Sequence, residues 1–405
     1  MGLPCAAHAH VAAPKAGLPP IRPAGERSLP LDRFPPGVRY GITPRGNGAM
    51  NNLTRQTRLT SFDPNHLGLA TNQIFGLPFT EGEAETILLP VPWDVTVSYG
   101  GGSSAGPRAI FEASRQVDLF DPDLPDAWQR GIAMQTISAE WAGRSAELRH
   151  EALRYINFLE SGGTPGEDPG MQAIADRINT ACGELRTWVA GETSALLDAG
   201  KLVGLLGGDH STPLGFLDAL AARHASFGIL QIDAHCDLRQ AYEGFQYSHA
   251  SVMWNALTIP QVTRLVQVGI RDFCEDELRC IESSAGRVQT FFDHDLAGRL
   301  YGGESWQQIC RGIIEQLPPE VYVSFDIDGL DPKLCPNTGT PVPGGLEFQQ
   351  ALYLLRELVR SQRRIIGFDL NEVCPAADAE DEWDANVGAR LLYKLCNFMV
   401  ASRGR

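Results

Sequence analysis

"FGILQIDAHCDLRQ", Phe227 to Gln240, opens as an apolar run and stops in Asp233, His235 and Asp237. The run reads as a buried strand, yet desolvating an unpaired carboxylate costs several kcal/mol or more. A positively charged partner is therefore implied at the strand end. Side chains alternate along an extended backbone, so Asp233 and His235 share one side and Cys236 faces away, where packing is its expected role.

Three more apolar runs end the same way. "KLVGLLGGDHS" leads into Gly207, Gly208, Asp209 and His210; "EVYVSFDIDGLDP" carries Asp326, Asp328 and Asp331; "RIIGFDLNEV" carries Asp369 and Glu372. A single Asp-x-His would be an ordinary helix cap or a satisfied core histidine. Several such ends, converging, would surround a small volume with carboxylates and two imidazoles, repelling one another and driving their pKa values up. Two divalent cations remove the conflict. Mixed carboxylate and imidazole donors suit Mn, Fe, Co, Ni or Zn, and the lack of a thiolate set argues against a structural zinc. Gly207 and Gly208 would let the backbone turn tightly under a bound ligand.

The chain has 405 residues, 43% hydrophobic and 20% charged, enough for one large α/β domain with extensions. A formal net charge of -15 speaks against a general nucleic-acid binder and is compatible with a cationic substrate. No apolar run approaches the roughly 18 residues of a membrane span. Nine scattered cysteines without a Cys-x-x-Cys pair read as a reduced, cytoplasmic protein. Residues 1–80, rich in Pro and Gly at the start, are expected to be a partly flexible extension contacting a neighbouring subunit, and 81–400 the catalytic domain. Neither a transit peptide nor a secretory signal is expected there.

From "TILLPVPWD" onward, strand candidates at 86–91, 130–135, 202–206, 226–232, 264–269, 288–292, 320–326 and 364–370 alternate with amphipathic segments such as 171–199, 212–223, 304–316, 347–360 and 384–398. Val/Ile/Leu-rich strands without polar alternation are covered on both faces, which predicts a mainly parallel sheet between helices. Ligands of such sheets bind beyond the carboxyl ends of the strands, where these acids stand.

"GGDHS", "DAHCD" with His249 in "YSHAS", and "SFDIDGLDP…NTGTPVPGGL" resemble the three signatures of the ureohydrolase family, the arginases, agmatinases and related guanidino-group hydrolases; "VPWDVTVSYGGGSSAGPRAIFEAS" is similar to the family's opening loop and helix. The resemblance spans about 84–398 and implies a three-layer α/β/α fold around a central, mainly parallel sheet, with the N-terminal extension outside it. It also implies two divalent metal ions per subunit, nickel or manganese, and a homo-oligomer (trimer or hexamer). His210, Asp233, Asp237 and Asp326 would hold one ion, and Asp233, His235, Asp326 and Asp328 the other, with Asp233 and Asp326 shared. His249 would shuttle a proton to the leaving nitrogen, Glu372 would grip the guanidinium, and Asp328 would steady the tetrahedral intermediate. The products would be urea and an amine or ammonia. Asp209 is read as an orienter of His210 or as structural.

Tyr242, Phe245, Tyr247 and Trp254 crowd the segment expected to border the substrate, and Ala250 stands where the family usually has Gly. With the long extension, these features resemble the guanidine hydrolase branch and point to free guanidine, ahead of agmatine or a guanidino acid. Metal-insertion accessory proteins are compatible with this; nucleic-acid and membrane partners are not expected. A dinuclear metallophosphoesterase would need a downstream "GNH"-type motif, which is absent. A catalytically silent binding subunit would usually have lost a ligand, and none is missing.

Overall fold

The computed structural model describes residues 55–69 and 72–404. Eight strands form one sheet: β1 Thr86–Val91, β2 Ile132–Met134, β3 Leu202–Gly207, β4 Phe227–Ile232, β5 Val262–Ile270, β6 Val288–Phe292, β7 Glu320–Asp326 and β8 Arg364–Asn371. Their order is β2-β1-β3-β8-β7-β4-β5-β6, and every pair is parallel. The expected strands all form, most of them within a residue or two of the expected limits. Continuous apolarity has the anticipated cause: β1, β3 and β4 are buried along their whole length.

Helices cover both faces. One core cluster joins sheet residues such as Leu230, Val266 and Val323 to the helices Trp306–Glu315, Phe348–Arg360 and Trp383–Ala401. The other joins Ile229, Leu265 and Tyr322 to Ala139–Glu160, Pro169–Asp198 and Leu214–Ala221. Neighbouring residues of β4 thus feed opposite cores, as the period-two geometry of a strand requires. Neighbouring segments approach closely where glycine permits it. A Cβ on Gly204 would stand 2.3 Å from the Phe368 ring, and one on Gly208 would stand 2.0 Å from the Trp93 carbonyl oxygen.

The order brings β3, β8, β7 and β4 side by side in mid-sheet. These are the strands whose ends carry the unexplained acids, so their carboxyl ends open onto one shared crevice.

Of the extension expected over 1–80, residues 1–54, 70 and 71 lie outside the described residues. Ile74, Phe75, Leu77 and Phe79 belong to the core, at 0–2% exposure, so the packed domain begins upstream of 81. Among the described residues, no helix is long and apolar enough to cross a membrane. Replacing Phe79 with Ala should cost about 3–5 kcal/mol, read as a lower urea midpoint. An unchanged midpoint would show that this segment is not part of the core.

Candidate metal centre

The crevice gathers the six residues expected to hold metal. His210 follows β3 and is buried. Its Nδ1 makes no hydrogen bond and lies 3.0 Å from Asp233 Oδ2, 2.9 Å from Asp237 Oδ2 and 3.3 Å from Asp326 Oδ2. The far side of the ring sets the tautomer. Ser324 Oγ lies 2.9 and 3.1 Å from the two carboxylate oxygens of Asp369, to which its hydroxyl donates, so it accepts from His210 Nε2–H at 2.9 Å. With Nε2 carrying the proton of the neutral ring, Nδ1 presents a lone pair to three carboxylate oxygens, and only added positive charge reconciles them.

His235 carries the second half. Its Nδ1 lies 3.1 Å from Asp328 Oδ2 and 3.6 Å from Asp233 Oδ1. Backbone amides pin these acids: His235 N–H donates to Asp233 Oδ1 at 2.6 Å, Ala234 N–H to Asp328 Oδ1 at 3.0 Å, and Asp328 N–H to Asp326 Oδ1 at 3.0 Å. Two candidate cation groups result, His210–Asp233–Asp326 and Asp233–His235–Asp328, the donor atoms of each lying within 4.8 Å of one another. Asp233 is common to both, Asp237 joins the first through its contact with His210, and Asp326 falls in the first group. The unpartnered imidazole nitrogen and the mixed donor set fit divalent cations.

Without a bound ion, protons hold the cluster together. Burial and the charges of Asp328 and Asp233 push Asp326 well above the carboxylate range, and burial with the Asp233 charge pushes Asp237 up to about 7. Burial opposes ionisation of His210 and His235, but the facing carboxylates overcome it and hold both well above the usual histidine range. Asp233 is held well below its ordinary value, the two imidazoles outweighing its burial.

Glu372 and His249 border the same crevice through shared neighbours. Glu372 Oε1 accepts the backbone N–H of His210 at 2.9 Å, whereas Oε2 is buried with no partner. Thr338 Oγ1 donates to the Glu372 carbonyl at 2.9 Å, and the Glu372 N–H donates to Gly208 O at 2.7 Å. Glu372 (φ 60°) and Asp237 (φ 53°) adopt the left-handed region, a strain of order 1–3 kcal/mol each that the surrounding contacts sustain. The His249 backbone N–H donates to Thr96 Oγ1 at 3.3 Å, its Nδ1 is buried without a partner, and Tyr242 packs edge-on at 6.0 Å between ring centroids. Burial, then the charge of His235, push the His249 pKa down to about 3.

Other expectations divide. Cys236 is buried and faces away, and Asp209 is structural: it accepts from Ser211 N–H at 2.9 Å and from Thr96 Oγ1 at 3.4 Å, without a bond to the His210 ring. The orienting group is Ser324 backed by Asp369. Their signal lies in the alternation rule, since Ser324 stands two residues before Asp326 as a polar interruption of an apolar strand. Of the four aromatics expected to crowd the substrate, Phe245 is fully buried against Tyr155, Tyr247 lies under the Arg186 guanidinium, and Trp254 is half-buried in the helix Val252–Leu257; Tyr242 is the one in ring contact with His249.

A three-layer α/β protein with paired carboxylate–imidazole cation groups at its strand ends is the class that fold and site define. More narrowly, the chain belongs to the arginase family, whose model matches residues 84–397, and is a hydrolase acting on C–N bonds of linear amidines. Relatives include an N(1)-aminopropylagmatine ureohydrolase of Thermus thermophilus, 32% identical over 316 residues (77% of this chain, 89% of the relative). The agmatinase of Bacillus subtilis is 26% identical over 317 residues (77% and 91%). In fold, the chain is similar to the agmatine ureohydrolase of Thermoplasma volcanium (TM-score 0.62, 22% identity, 82% and 96% covered). It is also similar to the arginase of Medicago truncatula (TM-score 0.56, 26% identity, 78% and 88% covered).

Because protons fill the cluster in the absence of cations, cation binding near pH 6.5 should expel them, and affinity should rise from pH 6 to 8. Titration calorimetry in buffers of different ionisation enthalpy measures this. Binding without proton release, equally tight across that range, would contradict the charge balance described.

Proposed function

We propose that the protein hydrolyses the guanidino group of a small cation to urea, and that free guanidine is the substrate, giving urea and ammonia. The observation that carries the reading is the pair of cation groups sharing Asp233, with the unpartnered Oε2 of Glu372 beside His210. Two manganese or nickel ions, one per group, would supply an activated water and Lewis-acid polarisation when bound. His210, Asp233, Asp237 and Asp326 would hold one ion; Asp233, His235, Asp326 and Asp328 would hold the other.

The rest of the chemistry belongs to the chain's own residues. Guanidinium carries its charge over a plane of N–H donors, and its carbon is a poor electrophile, so position matters more than affinity. Glu372 Oε2, buried and lacking a donor, is suited to accept those N–H groups, while Oε1 stays tied to the His210 amide; the left-handed backbone at 372 sets the aim. His249, kept neutral by burial, can take at Nδ1 the proton that the attacking water gives up as the C–O bond forms, and pass it to the leaving nitrogen as the C–N bond then breaks. Asp328, held at Oδ1 by the Ala234 amide, has Oδ2 3.1 Å from His235 Nδ1 and would steady the tetrahedral intermediate from the second cation group.

Support for free guanidine is the aromatic contact that the segment after His235 makes with His249. Tyr242 meets His249 edge-on, and the Arg239 guanidinium lies 4.7 Å from the Tyr242 ring centre. The second reading, an agmatine-type substrate, is favoured by the names of the relatives at 32% and 26% identity.

The test is urea release from guanidine, agmatine, aminopropylagmatine, arginine and guanidino acids after loading with either ion. Guanidine should be turned over in preference. Urea mainly from agmatine or aminopropylagmatine would replace the substrate, and no urea from any of them by metal-loaded protein would overturn the whole reading. His249→Asn should lower kcat about 10²–10⁴-fold with little change in KM. Glu372→Gln should act chiefly through kcat/KM, and unchanged kinetics would remove Glu372 from the site.

A further inference from the structure

The polar side chains beneath the cation groups form a second row, and its β4–β6 side has no role in the reading above. Gln231 is the one polar residue of β4, "FGILQI", and Gln267 interrupts "LVQVG" in β5; both are fully buried. They pair in register across β4 and β5, and Gln267 pairs with Thr290 across β5 and β6. Apolar residues would fill these positions without any polar group to satisfy.

The side chains are bonded in one direction. Thr290 Oγ1 donates to Gln267 Oε1 at 2.8 Å, Gln267 Nε2 donates to Gln231 Oε1 at 2.7 Å, and Gln231 Nε2 donates to Asp233 Oδ2 at 2.7 Å. Groups that can only accept fix both amides. Gln267 Nε2 also reaches the Cys236 carbonyl at 2.8 Å, and Gln231 Nε2 also reaches the His235 carbonyl at 3.2 Å. Flipping either amide would set oxygen against oxygen.

We propose that this three-strand amide ladder is a positioning device for Asp233, the carboxylate both cation groups share; the inference rests on the reading that Asp233 holds cations. Asp233 Oδ1 is fixed by the His235 N–H at 2.6 Å, and the ladder fixes Oδ2, so the carboxylate cannot turn about its last bond. Gln231 acts on Asp233 directly, whereas Gln267 acts by leaving Gln231 a single orientation.

The experiment is titration of cation-free, full-length protein with Mn(II) and separately with Ni(II), comparing wild type with Gln231→Met, Gln267→Met, the double variant and Thr290→Val. Folding is checked by circular dichroism and thermal unfolding of the cation-free proteins. Gln231→Met should weaken binding of the tighter ion by about tenfold or more. Gln267→Met should weaken it less, and should add nothing once Gln231 is Met, because its effect passes through that residue. Thr290→Val, at the half-buried far end, should weaken it by roughly threefold. Folded variants that bind as wild type does, or additive effects of the two Met substitutions, would overturn the ladder. Should the Met variants fail to fold, Thr290→Val decides alone, and unchanged affinity overturns the proposal. Wild-type protein that binds neither ion would instead overturn the functional reading, and this inference with it.

Discussion

Three carboxylates crowd one imidazole nitrogen. Asp233, Asp237 and Asp326 each bring an oxygen within 3.3 Å of His210 Nδ1, in a place closed to bulk water. Such a group is stable when protons or metal ions supply the positive charge and unstable otherwise. The remaining features of the crevice follow from that constraint. Backbone amides grip one oxygen of Asp233, Asp326 and Asp328, Ser324 and Asp369 set the His210 tautomer, and Gln231 meets the shared carboxylate from below.

The sheet makes this arrangement possible. Strands laid down in chain order would spread His210, Asp233, Asp326 and Glu372 along an edge, but the order β3-β8-β7-β4 lines them up across neighbouring strand ends. Parallel strands all end on the same side, so each contributes its terminal residues to one volume. Stiffness comes from the two cores, which bury β1, β3 and β4 completely. Packing remote from the site thereby offsets the repulsion of collecting like charges.

Much of this is legible in the sequence. The eight strands stand out because short, unbroken apolar runs bounded by turn residues match buried parallel strands, and the metal ligands stand out because acids at the ends of such runs need a reason. The strand order does not stand out, since four other strands lie between β3 and β8 in the chain and nothing local marks the two as neighbours. Ser324, Asp369, Gln231 and Gln267 are visible as polar interruptions, yet their purpose depends on which strands adjoin. Residues 74–79 read as part of the extension because so short a stretch shows no period; their burial is a tertiary fact. Phe245 and Tyr247 mislead for the related reason that an aromatic in a loop near the site packs inward or toward the substrate with equal ease.

The central claim is that positive charge belongs in two specific places. Anomalous-difference X-ray data from crystals soaked in manganese or nickel locate it without reference to activity. The account requires two peaks per chain, one among His210, Asp233, Asp237 and Asp326 and one among Asp233, His235, Asp326 and Asp328. Peaks elsewhere, or an empty crevice in crystals that take up the ion, would contradict it.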